Sequence, residues 1–218
     1  MPYLQKENLI FIHIPKTGGS SIEVLFGMDN MESLHFGRWD LHQTEFLEKF
    51  AHLIPTNKLN FEPQHYTPDI LQKFIPNYDR GFKFTFVRNP YTRIISEYFW
   101  RNNNSPSYDN FDPFQFDVWC RNYLRDLNES HKITQSEYIQ GSIQFIGRFE
   151  NFEGDMKRLI NEIVEYNPEL AYFRNMAIPH VNSTKGDKSV LVDLMLPETR
   201  QFIFTTYETD FKLLGYAG

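Results

Sequence analysis

The sequence is short of the devices by which many proteins hold metals, span membranes or grip nucleic acid. Its 218 residues include one cysteine, Cys120, which excludes an internal disulfide and any cysteine-based metal cluster and suits a reducing compartment. No apolar run approaches the ~20 residues that cross a bilayer, and the N-terminus lacks a basic region followed by a signal-like apolar stretch. A soluble, cytoplasmic protein without a membrane anchor is expected. Positive charge is in deficit, with 22 Lys and Arg against 28 Asp and Glu for a formal net charge of −6, which argues against broad binding to DNA or anionic membrane surfaces. No pair among the seven histidines has metal-ligand spacing such as H-x-x-x-H with a nearby carboxylate, so no metal is expected. No internal repeat and no long low-complexity linker occur.

What the chain has in quantity is apolar and aromatic surface. Hydrophobic residues make up 41% and aromatics 17%, with 21 Phe and 12 Tyr, enough to bury a substantial core within one domain over residues 1–218. The pattern predicts a strand at Leu9 to Ile14, a helix from Ser20 to about Phe26 opened by a Ser20/Glu23 capping box, and a short helix around Thr44 to Leu53. A helix beginning at Thr67 follows, then a strand at Phe82 to Val87 and a helix from Pro90 to near Arg101, where Asn102-Asn103-Asn104-Ser105-Pro106 breaks it. Phe114 to Leu127 has helical spacing, Phe145 to Phe149 reads as a strand, and Phe152 to Glu165 as a helix. A final helix from Pro197 to Leu214 ends at Gly215. Alternating strands and helices imply an α/β fold, a central parallel sheet with helices on both faces.

The segment Phe11-Ile12-His13-Ile14-Pro15-Lys16-Thr17-Gly18-Gly19-Ser20-Ser21 runs an apolar strand through a tight turn into a helix. Its glycines let backbone N–H groups approach a ligand, and the helix start adds unpaired N–H groups and a positive dipole end. Lys16 adds a full charge, and Thr17, Ser20 and Ser21 add hydroxyls. The layout predicts a ligand with phosphate-like groups. Lysine precedes the glycines here, no Gly-Lys-Ser/Thr occurs in the chain, and G-x-G-x-x-G is missing, so neither a triphosphatase loop nor a dinucleotide fingerprint is present. An ordinary Gly-Gly turn is the competing reading.

A second segment, Phe82-Lys83-Phe84-Thr85-Phe86-Val87-Arg88-Asn89-Pro90-Tyr91-Thr92-Arg93, reads as a buried strand followed by an Asn N-cap and a proline at the first helical position. Arg88 then stands at the carboxyl end of a strand, where ligands bind in open α/β sheets, and can fork onto a phosphate. Ser96, two turns on, can add a hydroxyl. Lys16, Arg88 and Arg93 together would make a local basic cleft.

These two segments resemble the PAPS-dependent sulfotransferases, in the branch that holds the Golgi carbohydrate sulfotransferases and their bacterial relatives. The first matches the family's 5'-phosphosulfate loop and the second its 3'-phosphate motif, V-R-[ND]-P followed by R and then S. Weaker matches lie at Ile146 to Phe152 with Asp155, at Pro179-His180-Val181-Asn182-Ser183, and at Tyr207 to Phe211 with Gly215-Tyr216. The resemblance implies a P-loop-like sulfotransferase fold and transfer of a sulfuryl group from PAPS (3'-phosphoadenosine 5'-phosphosulfate) to an acceptor hydroxyl, leaving PAP. It implies that Lys16, Thr17, Gly18, Gly19, Ser20, Ser21, Arg88 and Ser96 hold that donor.

Sulfuryl transfer needs a base for the attacking hydroxyl and a cation for the leaving phosphate. Lys16 is the candidate cation. His65, in a loop before a helix, is the candidate base, since a histidine in the corresponding region serves so in several carbohydrate sulfotransferases; Glu62 is its rival. His13, in a strand, reads as packed and structural; His35, His42 and His52 read as surface residues. His131 has no motif around it. His180 could shape the donor pocket with Asn182, Ser183 and Lys185. For the acceptor, the aromatics between Tyr98 and Tyr123 (Phe99, Trp100, Tyr108, Phe111, Phe114, Phe116 and Trp119) could stack on a sugar, with core packing the alternative for at least half. A saccharide or glycoside follows from the branch resembled. A phosphoryl-transfer enzyme on a related phosphate-loop fold and a non-catalytic nucleotide-binding relative are the alternative functions, and the oligomeric state stays open.

Overall fold

The computed structural model describes residues 3–28, 51–102, 111–181 and 188–218. Among these, one four-stranded sheet has the order β1-β2-β3-β4, formed by β1 (Tyr3–Leu4), β2 (Leu9–Phe11), β3 (Phe82–Val87) and β4 (Phe145–Arg148). β2, β3 and β4 are parallel, with Phe11 opposite Phe84 and Val87 opposite Arg148. β1 is antiparallel to β2, Tyr3 facing Ile10, so the expected parallel sheet is a mixed one. Two residues carry no period, which is why β1 has no signature in the sequence.

The α-helices among the described residues are α1 (Gly19–Leu25), α2 (Pro68–Phe74), α3 (Pro90–Arg101), α4 (Pro113–Tyr123), α5 (Phe152–Tyr166), α6 (Ser189–Asp193), α7 (Pro197–Thr206) and α8 (Glu208–Leu214). Local chemistry sets several starts. The Asn89 side chain accepts the Tyr91 N–H and Pro90 occupies the first helical position; Asp112 does the same for Phe114 and Gln115 ahead of α4. Proline there loses no intrahelical bond because those first N–H groups have no partner. The Ser20/Glu23 capping box does not form. Gly18, left-handed, caps α1 without a side-chain bond, and Glu23 pairs instead with His13. The single helix expected from Pro197 to Leu214 is two, divided at Tyr207, whose hydroxyl donates to the Lys132 carbonyl. Gly215, at φ 67°, closes α8 as expected. The helix expected around Thr44 to Leu53 falls almost wholly outside the described residues.

Strand alternation sends side chains to two cores. Leu9, Phe11, Phe82, Phe84 and Phe86 pack with Ile22 and Leu25 of α1 and Met156, Leu159 and Ile163 of α5. Ile10, Ile12 and Val87 point the other way, toward Ile70 and Leu71 of α2 and Tyr138. Each such buried side chain contributes ~1.5 to 3 kcal/mol, so both faces fix the sheet. A third cluster joins α3, α4, α7 and α8 through Ile94, Phe116, Ile203 and Phe211. Adjacency of β2 and β3 then forces the loops at their carboxyl ends together.

Candidate active site

The loop after β2 is held in an unusual shape. Lys16 has φ 68° and Gly18 φ 92°, a region that side chains beyond Cα enter at a cost of ~1 to 3 kcal/mol and that recurs at functional sites. Gly19 is required for another reason. A Cβ there would lie 1.8 Å from Nε2 of His13, so the imidazole already fills the space of a side chain at 19. His13 is buried and bonded through Nδ1 to Glu23 at 2.8 Å. Its structural reading from the sequence therefore gains a specific task.

Arg88, at the end of β3, reaches this loop directly. Its Nη1 donates to the Lys16 carbonyl at 3.1 Å, its Nε to Thr92 Oγ1 at 3.0 Å, and its guanidinium lies 4.1 Å from the Phe149 ring centroid. Ser96 lies two turns along α3, and Lys188 Nζ approaches its Oγ at 3.4 Å. Lys16, Arg88, Ser96 and Lys188 thus converge. Burial, offset in part by the Glu97 carboxylate and reinforced by Arg88 and Arg101, brings the Lys16 amine down to about 8. Burial with the Arg88 and Lys16 charges brings Lys188 to about 7. Clustered positive charge of this kind is relieved by a bound polyanion.

Several expected contributors face elsewhere. Thr17, fully buried, donates its hydroxyl to the Ile14 carbonyl at 2.8 Å, and the Ser21 oxygen accepts the Val181 N–H at 3.0 Å. Both hydroxyl oxygens are thus engaged within the protein, and Ser20 is half-buried. Arg93 is not part of the cleft. It is 1% exposed and donates to the carbonyls of Pro15, Ile133 and His131 at 3.3, 3.0 and 3.1 Å. It fastens the Lys16 loop to the 131–133 loop.

Behind Lys16 three imidazoles meet. His65 lies edge-on to His13, centroids 4.5 Å apart, and to His131 at 5.0 Å. The His65 Nδ1 donates to the His13 carbonyl at 2.9 Å, and its Nε2 faces the Gln64 amide at 3.1 Å. Burial, then the His13 and His131 rings, pushes the His65 imidazole well below its usual range. Glu62 accepts the Ser130 hydroxyl. His131 Nδ1 bonds Glu97 at 2.9 Å, and Glu97 also accepts from Arg101 at 2.7 Å and Tyr123 at 3.0 Å. Hydrogen bonds from His131 and Arg101 outweigh burial and hold the Glu97 carboxyl at about 2. Trp100, 56% exposed, stacks on His131 at 5.2 Å and lies under Lys16 Nζ at 4.7 Å.

The weaker sequence matches brace the site. Asp210 accepts the N–H groups of Gln135 and Ser136, each at 2.8 Å, and Gln135 in turn clasps the Arg88 N–H at 2.8 Å and carbonyl at 2.7 Å. Asp155 accepts the Arg148 N–H at 2.7 Å. His180 is exposed beside Glu153, and Asn182, Ser183 and Lys185 lie outside the described residues. Of the aromatics considered for an acceptor, Phe99, Phe111 and Phe116 are core, while Trp100 and Phe114 are exposed; Tyr108 is not among the described residues. Lys188 and Gln135 went unread in the sequence, and His131 showed only the lack of a motif, because each depends on a long-range contact.

Among the described residues, no three His, Cys, Asp or Glu side chains form a group that could hold a metal ion, and no helix is long and apolar enough to cross a membrane. Comparison with curated proteins gave no match, and comparison with solved structures gave none. A family model described as the sulfotransferase family matches residues 3–217, nearly the whole of the chain that carries this cation cluster and its braces, and the protein belongs to that family.

Proposed function

We propose that the protein transfers a sulfuryl group from PAPS to a hydroxyl of a saccharide or glycoside. The observation that carries the reading is the convergence of Lys16, Arg88 and Lys188 on Ser96 and the Gly18-Gly19 turn. A donor with phosphate at both its 3' and 5' positions suits a cation cluster of this kind. Arg88, Ser96 and Lys188 would take the 3'-phosphate, and the loop from Lys16 through Ser20 the 5' end. PAPS supplies the activated sulfuryl group. Lys16 neutralises the charge that grows on the leaving phosphate oxygen, and His65 is the general base that takes the proton of the acceptor hydroxyl. A donor or charge of this kind typically contributes ~3 to 4 kcal/mol to the barrier, so Lys16→Ala should lower turnover ~100- to 1000-fold. Exposed Trp100 beside Lys16 offers an apolar face of the kind on which sugar rings stack.

The test is thermal stability measured with adenosine 3',5'-bisphosphate, ATP and GTP, each with and without magnesium. Ligand at ~100 times Kd adds ~2.7 kcal/mol, so the expected magnesium-independent stabilisation by the bisphosphate is readily seen. Stabilisation only by ATP with magnesium would favour phosphoryl transfer and reject this reading. Arg88→Ala should weaken the bisphosphate more than a nucleotide lacking the 3'-phosphate; equal losses would remove Arg88 from that role.

A further inference from the structure

We infer that Thr85, buried in the interior strand β3, is a positioning residue for the base: its hydroxyl fixes the peptide that aims the His13 carbonyl at His65, and so decides which nitrogen of His65 takes a proton. The inference rests on the proposed sulfuryl transfer with His65 as base and adds what orients that base.

The tautomer of His65 is set by a neutral group. Its Nδ1 lies 2.9 Å from the His13 carbonyl, and a carbonyl can only accept, so the ring proton sits on Nδ1 and the lone pair on Nε2. That lone pair meets the amide of half-buried Gln64 at 3.1 Å, the side chain that an acceptor hydroxyl displaces. Strand geometry explains why the His13 carbonyl is available. The N–H and C=O of one strand residue point to the same side, and those of the next residue to the other. Ile12 faces β3: its N–H donates to the Phe84 carbonyl at 2.9 Å, and its carbonyl accepts the Thr85 hydroxyl at 2.7 Å. The His13 carbonyl therefore turns to the opposite edge. There, among the described residues, β1 pairs with β2 only as far as Tyr3 opposite Ile10, and His65 takes the place of a strand partner.

From Ile12 to Lys16 five successive carbonyls each accept a side-chain donor, in order Thr85, His65, Thr17, Arg93 and Arg88. The base and the phosphate-binding arginine thus hang from one backbone segment, and Thr85 holds it where it leaves the sheet. Thr85 is fully buried, so removing its hydroxyl leaves the Ile12 carbonyl with no water to replace it. The peptide between Ile12 and His13 then rotates in search of a donor, and the His13 carbonyl moves off Nδ1. In the step itself the acceptor oxygen bonds sulfur as its proton passes to His65 Nε2. The bond from sulfur to the 5'-phosphate oxygen breaks, and its electron pair stays on that oxygen. The imidazolium keeps its Nδ1–H on the His13 carbonyl, a hydrogen bond that strengthens as the ring becomes charged. A misdirected carbonyl forfeits that gain.

The experiment compares wild type, Thr85→Val, Thr85→Ser and His65→Ala. A wild type that fails to bind adenosine 3',5'-bisphosphate by calorimetry, or a His65→Ala enzyme that turns over like wild type, rejects the underlying reading whatever Thr85 does. Transfer of labelled sulfate from PAPS across a saccharide panel then tests Thr85 itself. Thr85→Val keeps the shape and loses the hydroxyl; it should lower kcat about tenfold or more, with acceptor KM and bisphosphate affinity within about threefold. Thr85→Ser, which restores the hydroxyl, should recover most of that loss. Combined with His65→Ala, Thr85→Val should cost little further, because it acts through the missing ring. A Thr85→Val enzyme within about threefold of wild type in kcat, an equal loss in Thr85→Ser, or additive losses with His65→Ala overturns the assignment. Nitrogen NMR of the wild-type imidazoles gives a measurement independent of acceptor and of variant folding. A protonated Nδ1 and bare Nε2 at His65 are expected, and the reverse overturns the assignment.

Discussion

Lys188 and Lys16 show how burial and neighbouring cations act on single residues. Lys188 sits at about 7 against the usual lysine value of 10.5, and Lys16 at about 8. Between those values and 10.5 the unfolded chain binds protons that the folded chain does not, so without ligand these two groups make stability rise with pH across that window. A bound polyanion reverses the balance by favouring the ammonium forms. Titration of the bisphosphate at pH 8.5 in buffers of different ionisation enthalpy should therefore show uptake of roughly one proton or more per ligand, and affinity should fall as pH rises above about 8. Proton release on binding, or an affinity flat from pH 7 to 9.5, would remove both lysines from the anion site. Gly19 makes a second residue-scale case. Its alanine variant pushes a Cβ into the His13 ring, at ~1 to 3 kcal/mol. Adding His13→Ala should recover part of that loss in urea unfolding, a coupling that two independent sites would not show. The glycine pair was legible in the sequence as a tight turn, but the ring that demands Gly19 was not, because His13 meets it only after the strand and loop have folded.

At the scale of elements, β3 and α3 read from sequence with the bounds they have, Phe82–Val87 and Pro90–Arg101. An aromatic run ends at an Asn-Pro pair whose capping chemistry is local, and local chemistry is what a sequence exposes. The duties of α3 are long-range and were read only in part. Arg88 and Ser96 were read from the strand end and the helix spacing, and the family motif agreed. Arg93 looked like one more cation for the cleft, since a guanidinium surrounded by carbonyls leaves the same letter in the sequence as one facing solvent. Its three carbonyl partners belong to loops 38 to 78 residues away, on either side in the chain. Arg93→Met keeps much of the volume and strands those carbonyls, at ~1 to 3 kcal/mol for each that stays buried and unpaired. The expected outcome is a loss of ~3 kcal/mol or more, seen as a melting temperature lower by ~2 to 4 °C per kcal/mol for a chain of this size. An unchanged melting temperature would mean that the two loops hold their places without it.

Across the whole molecule, the two sheet cores follow from strand alternation and were foreseeable as an α/β sheet covered on both sides. The short antiparallel edge and the break at Tyr207 were not, because one is two residues long and the other is fixed by a hydroxyl bonding a distant carbonyl. The C-terminal part has a role that composition could not show. Asp210 on α8 orders Gln135, and Gln135 holds both backbone groups of Arg88, so a C-terminal helix fixes the backbone from which the arginine projects. Asp210→Asn offers one oxygen and one NH2 to two N–H donors, leaving one of them unmet at ~1 to 3 kcal/mol. Part of that strain should reach Arg88. The bisphosphate should then bind several-fold more weakly, with a smaller loss for a nucleotide lacking the 3'-phosphate, and in the double variant with Arg88→Ala the Asp210 effect on binding should largely vanish while its effect on unfolding remains. Additive losses in binding would show that Asp210 stabilises the fold without tuning the arginine.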